Sequence, residues 1–238
     1  MSQKTYKSPP LIEAIFEIRF SEPIEYTDAL VKVFAERIHN VAPDQTKARR
    51  NQVDVQLEEG KDKVSRQIFE FEQFLSEDKR YLIQLDLSRI SIHRLAPYES
   101  WGNFLPFIES ILLAHTESFG VIDIARVGLR YINRIVAIGS FSESFTMQFN
   151  LPADLDRNVL VSSSAVLVRA NDAGDRYRIN IGPSDPKPEA YILDIDYFNE
   201  EVLLSRENLG AWLNTAHSSI ETLFEELVVP AVKETFDT

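Results

Sequence analysis

The residues best suited to chemistry lie in rows of like charge at strand spacing. Within Leu11–Phe20, Glu13 and Glu17 share one face with Ile15 and Arg19, while Ile12, Ala14, Phe16, Ile18 and Phe20 fall on the other. Near the middle of the chain Arg126, Arg130 and Arg134 form a second row, opposite Val127, Leu129, Tyr131 and Ile135. Further rows are Glu70 with Glu72, Arg176 with Arg178, and Asp194 with Asp196. Carboxylate rows can hold Mg2+ and arginine rows can grip phosphate, so five rows facing one cavity would suit a triphosphate-binding or triphosphate-hydrolysing barrel. Against that reading, enzymes of this kind open with Glu-x-Glu-x-Lys, whereas Ile15 interrupts the acidic row here. Opposite charges on two strands also serve as a seam: Glu13 and Glu17 facing Arg126 and Arg130 would fix a pairing register. The seam, or a solvated sheet face with exchanging ion pairs, is the expectation. No catalytic residue, metal ligand or cofactor is expected.

Other constellations are quickly read. Gly 8 is low, with no phosphate-cradling pattern and no Gly-x-Ser-x-Gly. His39, His93, His115 and His217 have no metal-binding spacing; His115 reads as a hydrogen-bonded core histidine, and His93 has no evident partner. Cys 0 removes disulfides, thiolate metal sites and cysteine nucleophiles.

The elements that must position these rows follow from periodicity. A strand at Leu11–Phe20 leads into a helix opened by Thr27-Asp28 and carrying Leu30, Phe34 and Ile38, stopped near Pro43. Strand-like runs follow at Gln52–Glu58, Gln67–Phe74, Tyr81–Leu87 and Ile90–Leu95. A second helix begins after Ser100, with Trp101, Phe104, Ile108, Leu112 and His115 inward and Gly120 as its C-cap. The second half repeats the order: a strand within Val121–Val136, strands near Val159–Arg169, Arg176–Ile181 and Ala190–Phe198, then a helix from about Glu207 that stops or kinks before Pro230.

Three matches keep step between the halves: Tyr81–Leu87 with Tyr191–Tyr197, Trp101–Leu112 with Trp212–Phe224, and Phe16-x-Ile18 with Leu129-x-Tyr131. The fold expected is therefore α+β: internally duplicated β-α-β-β-β-α halves, residues 1–120 and 121–238, forming one fused unit with a largely antiparallel sheet and helices on one face. Trp101 and Trp212 should each pack on the sheet of their own half.

The 238 residues are 44% hydrophobic and 26% charged, an ordinary globular composition. The opening Met1–Pro10 is polar and no apolar run approaches ~18 residues, so a signal peptide and a membrane span are not expected, and the setting expected is the cytoplasm. A net charge of −12 opposes phosphate backbones and anionic membranes, disfavours nucleic acid as a partner, and suits a protein partner with a basic surface.

Pro9–Phe20 (PPLIEAIFEIRF) resembles the opening motif of an uncharacterised, sporadically distributed family of bacterial and archaeal proteins of about this length. Gly128–Ile135 (GLRYINRI) is similar to that family's central motif and Leu193–Asp196 (LDID) to its late strand. The resemblance spans nearly the whole chain and brings no activity with it. Its patchy distribution implies mobile or accessory genes, such as toxin–antitoxin and phage-defence loci. The function expected is thus non-enzymatic binding or regulation through a protein partner, as an accessory or antitoxin-like component of a mobile defence locus, with the triphosphate barrel as the alternative.

Overall fold

A computed structural model describes residues 6–58, 61–121, 123–147, 163–184, 189–200 and 206–237; side chains of 50–58, 61–68 and 206–207 lie outside that description. The elements are β1 (Leu11–Phe20), α1 (Asp28–Ile38), β2 (Asp44–Glu58), β3 (Lys61–Leu75), β4 (Tyr81–Asp86), β5 (Arg89–Leu95), α2 (Trp101–Phe119), β6 (Ile124–Val136), α3 (Phe141–Ser144), β7 (Ser164–Arg169), β8 (Arg176–Pro183), β9 (Ala190–Asn199), α4 (Arg206–Leu227) and α5 (Pro230–Glu234). The class is α+β. One nine-stranded sheet runs β2-β3-β4-β5-β1-β6-β9-β8-β7, with every neighbouring pair antiparallel.

Alternation sorts the sheet into two faces. Ala14, Phe16 and Ile18 of β1, Ile90 and Ile92 of β5, Val127, Leu129 and Tyr131 of β6, and Leu193, Ile195 and Tyr197 of β9 enter one apolar core with Phe34 of α1, Phe104 and Ile108 of α2, and Leu213 and Ile220 of α4. The helices therefore cover one side. Their ends follow local chemistry: Thr27 Oγ1 accepts from the Leu30 N–H, Ser100 Oγ accepts from the Asn103 N–H, and Gly120 closes α2 at φ 88°, where a Cβ would be strained. Val228 breaks α4 by bridging to Phe145, and Pro230 opens α5 at a position where its missing N–H costs nothing.

Several expectations need correction. Ile12 is exposed rather than inward, because a register shift between Leu11 and Glu13 turns Leu11 into the core instead. The first half has four strands between its helices, so its order is β-α-β-β-β-β-α. Part of the strand expected at Val159–Arg169 lies outside the described residues; β7 begins at Ser164. By sheet position, β9 stands beside β6 as β5 stands beside β1, so Tyr81–Leu87 and Tyr191–Tyr197 are not equivalent strands. Both carry apolar residues alternating at strand spacing, and that shared periodicity made them align. Trp212 packs on Tyr197 of its own half. Trp101 instead stacks on His217 of α4, rings 4.5 Å apart, and donates to Asn214. It clamps two helices together.

Two of the buried histidines, His115 and His217, set a pH dependence. His115 meets the Tyr26 hydroxyl, and His217 meets that of Tyr131. Burial lowers both from 6.5 to about 4. Each depressed value means the unfolded chain binds a proton that the folded chain refuses, so stability is complete above pH 6.5 and falls as pH drops toward 4. Urea unfolding at pH 7.5 and 5.5 should differ by about 1 kcal/mol per histidine, and His115→Phe should remove its share. A pH-independent midpoint over this interval would contradict the burial of both rings.

Candidate functional site

The face away from the helices collects the charged rows on the five strands β5, β1, β6, β9 and β8. Cross-strand register makes one line of Ser91, Glu17, Gly128, Phe198 and Arg176, and the next of His93, Ile15, Arg130, Asp196 and Arg178.

Arg126 holds the centre. Its side chain runs along β6 over Gly128, donating from Nη1 to Glu17 Oε1 at 3.0 Å and from Nη2 to Asp196 Oδ2 at 2.7 Å. The guanidinium also covers the Phe198 ring, 4.6 Å from its centroid. Gly128 makes this path available: a Cβ there would stand 2.6 Å from Arg126 Nη1. Around this tie, Arg89 joins Glu17 to Asp86, Arg19 donates to Glu17 at 2.8 Å, and Arg130 grips Asp194 with Nε at 2.6 Å and Nη2 at 2.8 Å. Asn180 donates a further bond to Asp194.

The predicted site residues are therefore gathered on one face, with partners partly reassigned. Glu17 does meet Arg126. Glu13 instead meets His93, because the register places Glu13 opposite Ile132 and diagonal to the histidine. Arg130 turns to Asp194 on β9. Arg134 is exposed at a groove of about 320 Å3 beside Pro10, Val136 and Phe236, and pairs with no carboxylate among the described residues. Arg176 reaches Glu200, and Arg178 approaches Asp196 only to 3.9 Å.

The condition for a triphosphate tunnel fails on geometry. Glu72 pairs with Leu85 and so lies on the helix face, where Lys47 and Arg49 engage Glu72 and Glu70. The five rows do not face one cavity. Glu17, Asp194 and Asp196 each already hold an arginine, and among the described residues no cluster of histidines and carboxylates is placed to bind a metal ion.

Electrostatics show how tightly the centre is set. Burial works to raise the Glu17 carboxyl, but Arg19, Arg126 and Arg89 outweigh it and hold it below the ordinary value. At Asp196 burial wins and the carboxyl is pushed up, opposed by Arg126, Arg130 and Arg178. The hydrogen bond from Arg130 to Asp194 raises the Arg130 guanidinium further, so Arg130 stays charged.

Sequence reasoning missed two clusters. His93 Nε2 sits 2.9 Å from Ser91 Oγ, and Nδ1 sits 2.7 Å from Glu13 Oε1, the connectivity of a nucleophile–base–acid relay. Exposure runs the wrong way for attack: Ser91 is 3% exposed and the outermost member is Glu13. The relay thus orients Glu13. The alternation Arg89-x-Ser91-x-His93 was the available signal. The second cluster is Asp175, which accepts from Trp212 Nε1, Asn199 Nδ2, Asn171 Nδ2 and Tyr197 Oη. Burial raises its carboxyl, and these four neutral donors reverse the shift. It fastens the β7–β8 turn to β9 and α4, and no sequence spacing announces it.

One layering decides what the face can do. The carboxylates lie inward, with side-chain exposures of 15%, 8% and 9% at Glu17, Asp194 and Asp196. Guanidiniums lie outward, at 49%, 44% and 48% for Arg19, Arg130 and Arg178. Arg178 rests over the Phe198 ring, and its N–H groups make no hydrogen bond to a described residue. Such a surface offers planar, fixed donors to carboxylates or other oxyanions.

Compared with known proteins, the chain matches no protein-family model and no curated protein. Among the described residues no helix is long and apolar enough to cross a membrane.

The Arg126 tie makes a specific prediction. Gly128→Ala should destabilise the protein by roughly 1–3 kcal/mol, because the guanidinium must leave two carboxylates to admit the methyl group. In an Arg126→Leu background the same substitution should cost far less. Equal costs in both backgrounds would show that Arg126 does not lie across Gly128.

Proposed function

We propose that this chain is a binding protein that works through a protein partner, and that the partner presents an acidic segment to the arginine side of the sheet. The observation that carries this reading is the layering: carboxylates buried beneath, guanidiniums turned to solvent above them. Glu17 and Asp194 fix Arg19 and Arg130 in place, so little of their side-chain entropy is lost when an anion arrives. The net charge of −12 suits basic surfaces elsewhere on the molecule, but on this face the accessible charge is cationic. An accessory or antitoxin-like role in a mobile defence locus is compatible with a partner-binding chain and rests on the sequence resemblance alone.

Labelled poly-L-glutamate and poly-L-lysine separate the two electrostatic possibilities by fluorescence anisotropy. Poly-L-glutamate should bind, and binding should weaken as salt rises. The double variant Arg134→Gln, Arg178→Gln should lose roughly tenfold in affinity, or about 1.4 kcal/mol, at unchanged Tm, since neither side chain holds a hydrogen bond to a described residue. Binding of poly-L-lysine alone would move the recognition surface to the acidic exterior and end this reading.

A further inference from the structure

The sheet has two edges, and they differ. At β2 the described edge carries charged, engaged side chains: Lys47 meets Asp28 and Glu72, and Arg49 meets Glu70. Charged residues of this kind protect an edge from adding strands. At β7 the sequence is Ser-Ala-Val-Leu-Val-Arg, and exposure reaches 37% at Val166, 59% at Leu167 and 42% at Val168. Among the described residues no strand lies beyond it, and one row of its backbone N–H and C=O groups has no strand partner there.

The two sides of this edge differ in chemistry. Val166 pairs with Ile179 and Val168 with Tyr177, which places both valines on the helix side of the sheet. Ala165, Leu167 and Arg169 lie on the arginine side, with Arg178 and Arg176 opposite Leu167 and Arg169 on the next strand. The Arg169 side chain is 79% exposed, and among the described residues its ion-pair partner Asp172, itself fully exposed, comes no closer than 4.0 Å.

We propose that β7 is a strand-addition edge for an extended partner segment that alternates acidic and apolar residues. The inference rests on the arginine-face reading and deepens it by naming the partner's conformation and pattern. Added backbone would complete the outward hydrogen bonds of β7, while period two sends alternate side chains to opposite faces. Acidic residues then meet Arg169 and the flanking Arg176 and Arg178, and apolar residues cover Val166 and Val168. Charge also selects against a second copy of this chain in the same place. Antiparallel self-pairing over the length of β7 would set Arg169 opposite Ser164 of the other copy, so the arginine side of this edge would gain no anion from it.

The test uses a capped peptide alternating Glu and Val over about eight residues, long enough to span a typical strand. One control has the same composition in two blocks, and another is the alternating peptide N-methylated at every second residue. The alternating peptide should bind the full chain at least about tenfold more tightly than the block peptide. N-methylation should remove that advantage, and Arg169→Gln with Arg178→Gln should weaken binding without lowering Tm. Equal binding of all three peptides would overturn strand addition while leaving the arginine face intact. Binding of poly-L-glutamate without binding of the alternating peptide would do the same. Failure of both probes would remove the arginine-face reading as well. A concentration-dependent doubling of mass by light scattering that Leu167→Lys abolishes would place a second copy at this edge and overturn the proposal.

Discussion

Arg126 joins three strands from the middle of the sheet, and the arrangement of the charged face depends on it. Its guanidinium is nearly out of contact with solvent, yet it meets Glu17 of β1 and Asp196 of β9 and covers an aromatic ring. A cation removed from water this completely is tolerable only with charged acceptors and good geometry; stripping one partner from such a pair costs about 3–5 kcal/mol. The same logic binds the acceptors. Asp196, whose carboxyl burial pushes upward, stays a useful counter-ion because Arg126 is beside it. Gly128 is where this constraint becomes visible in the backbone, since the side chain passes through the space a Cβ would fill.

From this centre the outer layer follows. With Asp194 and Asp196 sunk into the sheet, Arg130 is tethered to Asp194 by its inner edge and Arg178 rests over the Phe198 ring, and both turn the rest of their guanidiniums to solvent. Glu13 is held differently, by a histidine that Ser91 braces. An acidic chain thereby carries one face on which the accessible charge is positive. That face runs toward an edge strand lacking the charged protection seen at β2. Recognition of an acidic extended segment is the reading in which the layered charges and the open edge have a common use.

How far the sequence made this legible depended on whether each signal was local. Alternation in Leu11–Phe20 and Val121–Val136 identified β1 and β6 and placed Glu17, Arg126 and Arg130 on the non-core face, because period-two burial is written residue by residue. Helix caps at Thr27, Ser100 and Gly120 were equally local. Choice of partner was not. Arg130 prefers Asp194 to Glu13 because β9 rather than β1 presents a carboxylate within bidentate reach, and that depends on strand order. His93 gained partners from Glu13, 80 residues away, and Ser91, two residues away. The shift at Leu11 and the move of Trp101 onto α4 are tertiary outcomes with no signature in spacing. Glu70 and Glu72 show the opposite error: their parity was right, but the face it pointed to was the helix face.

A double-mutant cycle of Glu17→Gln and Arg126→Met, followed by urea unfolding at neutral pH, tests the central tie most directly. The two sites should be coupled by more than about 1 kcal/mol, because each single change leaves a buried charge short of its partner. The same cycle between Glu17 and the exposed Arg19 should give a much smaller coupling, at most about 1 kcal/mol. Glu17 and Arg126 effects that add to within about 0.5 kcal/mol would contradict the account.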